Sequence, residues 1–159
     1  AESLGLTLVT NIPVESASVS GDSDALRRVI RGLIHNAMKY TPEGGRITVS
    51  AQERDDGVAI SVSDTGKGIA ESDVPHIFDK FYRAVAAEDE PDARGTSAPG
   101  VGLGLYLAQH IVSQLNGEIS VASRQGVGTT FRVILPAWTE DTATDKREEA
   151  ANVKALVGS

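Results

Sequence analysis

Cysteine is absent from this chain, so neither a disulfide framework nor thiol chemistry can belong to its function; the absence fits a reducing compartment. No apolar run approaches the roughly 20 residues that a membrane-spanning helix needs, and no signal-peptide pattern opens the sequence. Positive charge is in deficit: 15 Lys and Arg stand against 22 Asp and Glu, a net charge of −7. A nucleic-acid-binding surface needs a basic patch, so nucleic acid is not an expected partner, and any anionic ligand has to be met by a few cations gathered locally. Internal repeats are lacking too. What remains, 159 residues of which 40% are hydrophobic, suits one domain with a buried core. The first residues, Ala1-Glu2-Ser3-Leu4-Gly5, read like the interior of something longer.

Two helices stand out. From Asp24 to Tyr40, apolar residues fall at Leu26, Val29, Ile30, Leu33, Ile34 and Ala37, the spacing of a helix with one buried face. Gly21-Asp22-Ser23 supplies its turn and N-cap, and Thr41-Pro42-Glu43-Gly44-Gly45 ends it. Leu103 to Leu115 repeats the pattern with Leu105, Ala108, Ile111, Val112 and Leu115, and Asn116-Gly117 stops it. Strands are expected at Leu6–Ile12, at Ala17-Ser18-Val19, at 46–54 and 58–64 around the turn Asp55-Asp56-Gly57, and at 118–122 and 130–135 around a closing hairpin turn. Strands in one layer and helices in the other give an α+β two-layer sandwich. Residues 1–137 make the domain and 138–159 a charged, Ala-rich, flexible tail.

Three short motifs carry chemistry. Asn36 lies at the edge of the first helix's apolar stripe on a wheel of 100° per residue, with Lys39 a little farther round. An amide oxygen suits Mg²⁺, which takes few protein ligands, and Lys39 can meet a phosphate as a point charge; both residue types also simply favour helix C-termini. Asp64 ends a strand whose inward residues are Ile60 and Val62. A half-buried carboxylate there needs hydrogen-bond donors, and the adenine amino group is one, whereas guanine presents an acceptor and is rejected. Gly66 and Gly68 let a flat ring approach the backbone; as a tripeptide, Asp-Thr-Gly is equally an ordinary capped turn. Gly100, Gly102 and Gly104 alternate into the N-terminus of the second helix, where free N–H groups and the dipole favour anions; close helix packing is the other reading of such glycines. About thirty residues separate the last two motifs, far beyond ordinary loops, and residues 84–99 lack apolar periodicity, as a mobile lid would. Lys80 and Arg83, near its start, are candidate γ-phosphate contacts, or solvated surface cations.

These residues carry a family resemblance. The chain resembles the catalytic, ATP-binding domain of bacterial two-component sensor histidine kinases, in the superfamily of gyrase, mismatch-repair and heat-shock chaperone ATPases. His35-Asn36-Ala37-Met38-Lys39-Tyr40-Thr41-Pro42 matches its asparagine box, Asp64-Thr65-Gly66-Lys67-Gly68-Ile69 its first glycine box, Ile77-Phe78-Asp79-Lys80-Phe81-Tyr82-Arg83 its phenylalanine box, and Gly100-Val101-Gly102-Leu103-Gly104-Leu105 its second glycine box. Gly126-Val127-Gly128-Thr129-Thr130-Phe131 matches its last turn. The resemblance implies a Bergerat-type fold: a mixed sheet covered on one face by about three helices, with a long ATP lid. It implies that ATP and Mg²⁺ are bound, with Asn36 on the metal, Asp64 on the adenine amino group, and Lys39 and Arg83 near phosphates. Tyr40 packs at the nucleotide, Gly66 and Gly68 line the base, Gly102 and Gly104 line the phosphates, and Ile69, Phe81, Gly100, Val101, Leu103 and Leu105 count among the ATP-binding residues. Thr129 or Thr130 backs up Asp64 through water.

Two departures shape the expected function. One turn before Asn36, where the family usually has a second polar residue and hydrolytic relatives a catalytic Glu, this chain has Gly32, so no base is available there to activate water. None of His35, His76 and His110 sits in the family's phosphoacceptor motif, so no catalytic residue is assigned within the chain. The expectation is a domain that donates the γ-phosphate of ATP to a histidine on a separate dimerisation domain and cannot label itself. A response regulator acts downstream; the whole protein is a homodimer with this domain in the cytoplasm, anchored where present to the inner membrane, and this fragment is a monomer. The alternatives are a serine kinase of anti-sigma-factor type, which shares the fold, and a non-catalytic ATP-binding regulatory module, favoured only by Gly32.

Overall fold

The computed structural model describes residues 5–12, 23–83 and 102–137. Five strands form one sheet: β1 (Thr7–Asn11), β2 (Arg46–Arg54), β3 (Gly57–Asp64), β4 (Glu118–Arg124) and β5 (Gly128–Pro136), in the order β1-β2-β3-β5-β4. β1 runs parallel to β2, and every other pair is antiparallel. The mixed sheet follows from the connections: α1 (Ser23–Tyr40) links the parallel pair, and α2 (Gly104–Gln114) precedes the edge strand β4. The two helices pack on each other and on one face of the sheet, which is the expected two-layer α+β sandwich. Among the described residues a 3-10 turn at Val74–His76 is the third helical element.

The helical stripe of α1 holds as read, with Val29, Leu33 and Ala37 buried along its middle and Leu26, Ile34 and Met38 packed beside them. Thr41 closes the helix by donating both its N–H and its hydroxyl to the Ala37 carbonyl, at 3.0 and 2.6 Å. Asn116 takes φ +56° just past α2, and Gly117 N–H reaches back to Val112 O at 2.9 Å, the αL ending that Asn-Gly favours. The closing hairpin is longer than its periodicity suggested. β4 and β5 pair out to Arg124↔Gly128, because ladder bonds extend through Ser123, Arg124 and Thr129, which carry no apolar signal. Gly57, expected in a turn, is the first residue of β3 and pairs with Arg54. The expected strand at 17–19, the lid at 84–99 and the tail from 138 lie outside the described residues.

The period-two alternation of strands decides what faces the helices. Val49, Val62, Phe131 and Val121 form one cross-strand row, and Ala51, Ile60, Val133 and Ile119 the next. Leu33, Ile47, Val62, Val112, Val133 and Leu135 are nearly or wholly inaccessible. The opposite face reads Thr48, Ser63, Thr130 and then Ser50, Ser61, Arg132, Ser120, a polar surface.

Two neighbours on α1 should respond oppositely to alanine. Leu33 is 1% exposed, so Leu33→Ala should cost roughly 2–5 kcal/mol. Gly32 is exposed, and a methyl group there meets nothing within 4 Å, so Gly32→Ala should stabilise by about 0.5–1 kcal/mol through helix propensity. Urea denaturation of both variants checks the pair.

Candidate functional site

The next row along the helix-covered face is Ile47, Asp64, Thr129, Ser123. Asp64 is in phase with Ile60 and Val62, so the strand carries its carboxylate onto the buried side, where it is 9% exposed. Its Oδ1 accepts two backbone N–H groups, Gly66 at 2.8 Å and Thr129 at 3.3 Å. No described residue donates to Oδ2. Burial raises the carboxyl above its ordinary pKa, and the bonds from Gly66 and Thr129 pull the other way, as charge desolvation and N–H donation must.

Behind Asp64 stands a small hydroxyl network that the sequence reading missed. Ser123 Oγ bonds Thr129 Oγ1 at 2.8 Å and Gly128 O at 3.0 Å, and accepts the Ile69 N–H at 2.9 Å. It ties the first glycine box to the closing hairpin. Extending the hairpin register by two residues would have found it, since Ser123 pairs with Thr129. Thr130 is not brought to Asp64: its hydroxyl lies on the other face, 2.8 Å from Ser63 Oγ. Of the two threonines, only Thr129 shares the row of the carboxylate.

The glycines of this loop are needed by the protein's own packing. A side chain at Gly66 would stand 2.5 Å from the Tyr40 carbonyl oxygen, and one at Gly68, where φ is +68°, would overlap the Arg124 carbonyl. The loop is pinned to the end of α1 by Lys67 N–H to Tyr40 O at 3.2 Å and to the hairpin turn by Gly126 N–H to Lys67 O at 2.7 Å. Tyr40 is half-buried, with Lys39 Nζ 5.2 Å and Lys67 Nζ 5.3 Å from its ring centroid. Asn36, one turn earlier, is half-buried at the edge of the stripe. Among the described residues no three His, Cys, Asp or Glu gather as a metal cage.

The phenylalanine box meets the second glycine box directly. Phe81 N–H donates to Gly102 O at 3.0 Å, joining the two ends of the 84–101 segment. Phe81 takes φ +66° and is 60% exposed, with Lys80 Nζ 5.1 Å from its ring centroid. Phe78 instead turns inward, edge-on to Phe131 at 6.4 Å. Tyr82 donates its hydroxyl to Asp73 at 2.8 Å, and half-buried Arg83 ends this described stretch. Leu103 is the N-cap of α2 and offers no side-chain cap; the N–H groups of a helix start are suited to an anion. Gly104 opens the helix, where a methyl group would meet nothing within 4 Å among the described residues, and Leu105 packs on the core. Gly100 and Val101 lie outside the described residues. A shallow hollow of about 240 Å³ between α2 and β4, lined by Tyr106, His110, Ser113 and Glu118 among others, shares no residue with this network.

Residues 21–139 match the family model described as histidine kinase-, DNA gyrase B- and HSP90-like ATPase. The chain belongs to that family. It is 39% identical over 132 residues to the adaptive-response sensory kinase SasA of Synechococcus elongatus, covering 82% of this chain and 32% of that protein. It is 33% identical over 156 residues to the sensor-like histidine kinase SenX3 of Mycobacterium tuberculosis, covering 98% of this chain and 36% of the relative. The chain thus spans about a third of the length of these curated relatives. The mycobacterial sensor histidine kinase MprB superposes with a TM-score of 0.70 at 28% identity, with 84% of each chain covered. Full-length ShkA in complex with AMPPNP matches with a TM-score of 0.71 at 26% identity, over 87% of this chain and 27% of that one. The fold is that of histidine kinase catalytic domains.

Gly68→Ala tests the packing of the loop. It combines a left-handed backbone with an overlap on Arg124, so a loss of roughly 1–3 kcal/mol or more is expected, read as a lowered urea midpoint.

Proposed function

We infer that this chain binds Mg·ATP and hands its γ-phosphate to a histidine on a separate dimerisation domain, as the catalytic part of a two-component sensor kinase. The observation that carries this is Asp64. One carboxylate oxygen is held by two backbone N–H groups, and the other has no donor among the described residues. A buried charge in that condition gains from a donor such as the adenine amino group. The fixed Oδ1 makes the free oxygen's position definite, so the geometry favours adenine over guanine.

The rest of the site fits a triphosphate. The uncapped start of α2 offers N–H groups and a positive dipole end to phosphate oxygens. Lys39 supplies a point charge, and Asn36 offers an amide oxygen where Mg²⁺ would arrive with the nucleotide rather than in a protein cage. Bound Mg²⁺ would offset phosphate charge during transfer. The protein's own share is positioning: Asp64 fixes the base end, Thr129 and Ser123 fix Asp64, and the Phe81–Gly102 bond holds the two ends of the lid segment together. The likeness to ShkA, whose structure holds AMPPNP, supports the nucleotide reading. With Gly32 one turn before Asn36, α1 presents no carboxylate there to activate water, which favours transfer over hydrolysis. In this reading the nucleophile, the homodimer and any attachment to the inner membrane belong to a larger protein and the response regulator is a separate downstream partner; among the described residues no helix is long and apolar enough to cross a membrane.

Asp64→Asn keeps an Oδ1 acceptor but cannot act as an anion toward the base. It should weaken a fluorescent ATP analogue at least about tenfold, and parental affinity would sink the assignment. With γ-labelled ATP the isolated chain should take up no label, while a separately supplied acceptor domain should.

The raised pKa of Asp64 gives a pH signature with two opposite arms. The folded chain holds this proton more tightly than the unfolded one, so the contribution of Asp64 to the stability of the nucleotide-free domain is fully present below the ordinary carboxylate pKa. That contribution is lost as pH rises through the raised value. ATP binding should run the other way, weakening as the carboxyl protonates. Melting and binding measured across acidic pH should diverge in the parent and not in Asp64→Asn.

A further inference from the structure

One hydroxyl, that of Ser123, meets three groups at once. It accepts the Ile69 N–H at 2.9 Å and lies 3.0 Å from Gly128 O and 2.8 Å from Thr129 Oγ1. A hydroxyl has a single proton and two lone pairs, and a carbonyl oxygen can only accept. Gly128 O therefore takes the Ser123 proton, and the remaining bond has one direction left: Thr129 donates its hydroxyl to Ser123 Oγ. All three bonds form together in that arrangement alone, which is how proton positions are assigned in such networks. The consequence falls on Asp64. Thr129 stands directly opposite it on the same face, and opposed side chains in an antiparallel pair have Cβ atoms about 5 Å apart. A threonine hydroxyl at that spacing is well placed to donate to a carboxylate. Yet Asp64 receives from Thr129 only the backbone N–H, because the side chain is turned to Ser123 and its proton is committed there.

We propose that Ser123 sets base specificity as a positioning residue: it holds the Thr129 hydroxyl away from Asp64 and so keeps one carboxylate oxygen for the adenine amino group. The inference rests on the ATP reading and extends it to how selectivity is kept. Without Ser123, the Thr129 side chain has other staggered wells to turn into and no other described partner for its hydroxyl. Donation to Asp64 then satisfies the oxygen from within the protein, and a base without the amino group binds nearly as well as adenine. The competing role is purely structural, a serine that ties Ile69 to the closing hairpin.

Isothermal titration with ATP and with purine riboside triphosphate, which lacks the 6-amino group, separates the two. The ratio of the two affinities in the parent measures recognition of the amino group. Ser123→Ala should lower that ratio about tenfold. Adding Thr129→Val, which leaves no hydroxyl to turn, should regain most of it, whereas a loosened hairpin would not be repaired. Ser123→Cys keeps a side chain in place but is a weak acceptor; it should lower the ratio in the same direction, and it decides the matter if the alanine variant does not fold. An unchanged ratio in these variants, or a loss that Thr129→Val does not repair, overturns the role of Ser123 while leaving the ATP reading intact. A parent that binds neither triphosphate overturns the ATP reading, and one that binds both equally overturns base recognition by Asp64; the inference falls with either.

Discussion

The register between β3 and β5 is the constraint on which the site depends. Asp64 stands opposite Thr129 and on the same face as Val62 and Ile60. A slip of one residue would send the carboxylate to the polar face, beside the Ser63–Thr130 hydroxyl pair, where water would solvate it and no chemistry would follow. The register is held by the rows behind it. Val62 against Phe131 and Ile60 against Val133 bury apolar surface that a one-residue slip would turn to the polar face. The core therefore sets the position of a charge that the core itself disfavours, and the N–H groups of Gly66 and Thr129 keep that charge tolerable.

The same logic reaches the loop glycines. Gly66 and Gly68 read as openings for a flat ring, yet the space a side chain would need is taken by the Tyr40 and Arg124 carbonyls. Close packing of the loop between α1 and the hairpin brings Asp64, Tyr40 and Ser123 into one neighbourhood. The glycines act on the site by letting protein approach protein, and any approach of a base comes as a consequence.

What was legible in the sequence was whatever carried a period. The 3.6-residue stripes of α1 and α2 and the alternation of β2 and β3 placed both helices and the middle of the sheet. The phase of Asp64 with Ile60 and Val62 foretold its burial. What escaped was polar and long-range. Ser123 has no periodic signature, and its role exists only because β4 and β5 pair two residues beyond the apolar stretch. The choice between Thr129 and Thr130 turns on strand register, which a single strand cannot reveal. The meeting of Phe81 with Gly102 is invisible because the 84–101 segment separates them in sequence while a 3.0 Å backbone bond joins them in space.

Phe81 shows how the stem of that segment is held. A bulky residue at φ +66° is disfavoured by sterics, and it persists only where its surroundings over-determine it. Two anchors do so here. Phe78, three residues earlier, is locked edge-on against Phe131 in the core, and the Phe81 N–H is committed to Gly102 at the mouth of α2. Between them the chain must turn sharply, which turns Phe78 inward and Phe81 outward. The backbone that reverses there leads directly to Arg83 on one side and to the uncapped N-terminus of α2 on the other. A conformation that is locally unfavourable thus brings the end of this stretch to the start of α2, and the core contact of Phe78 is one of the two anchors that hold it there.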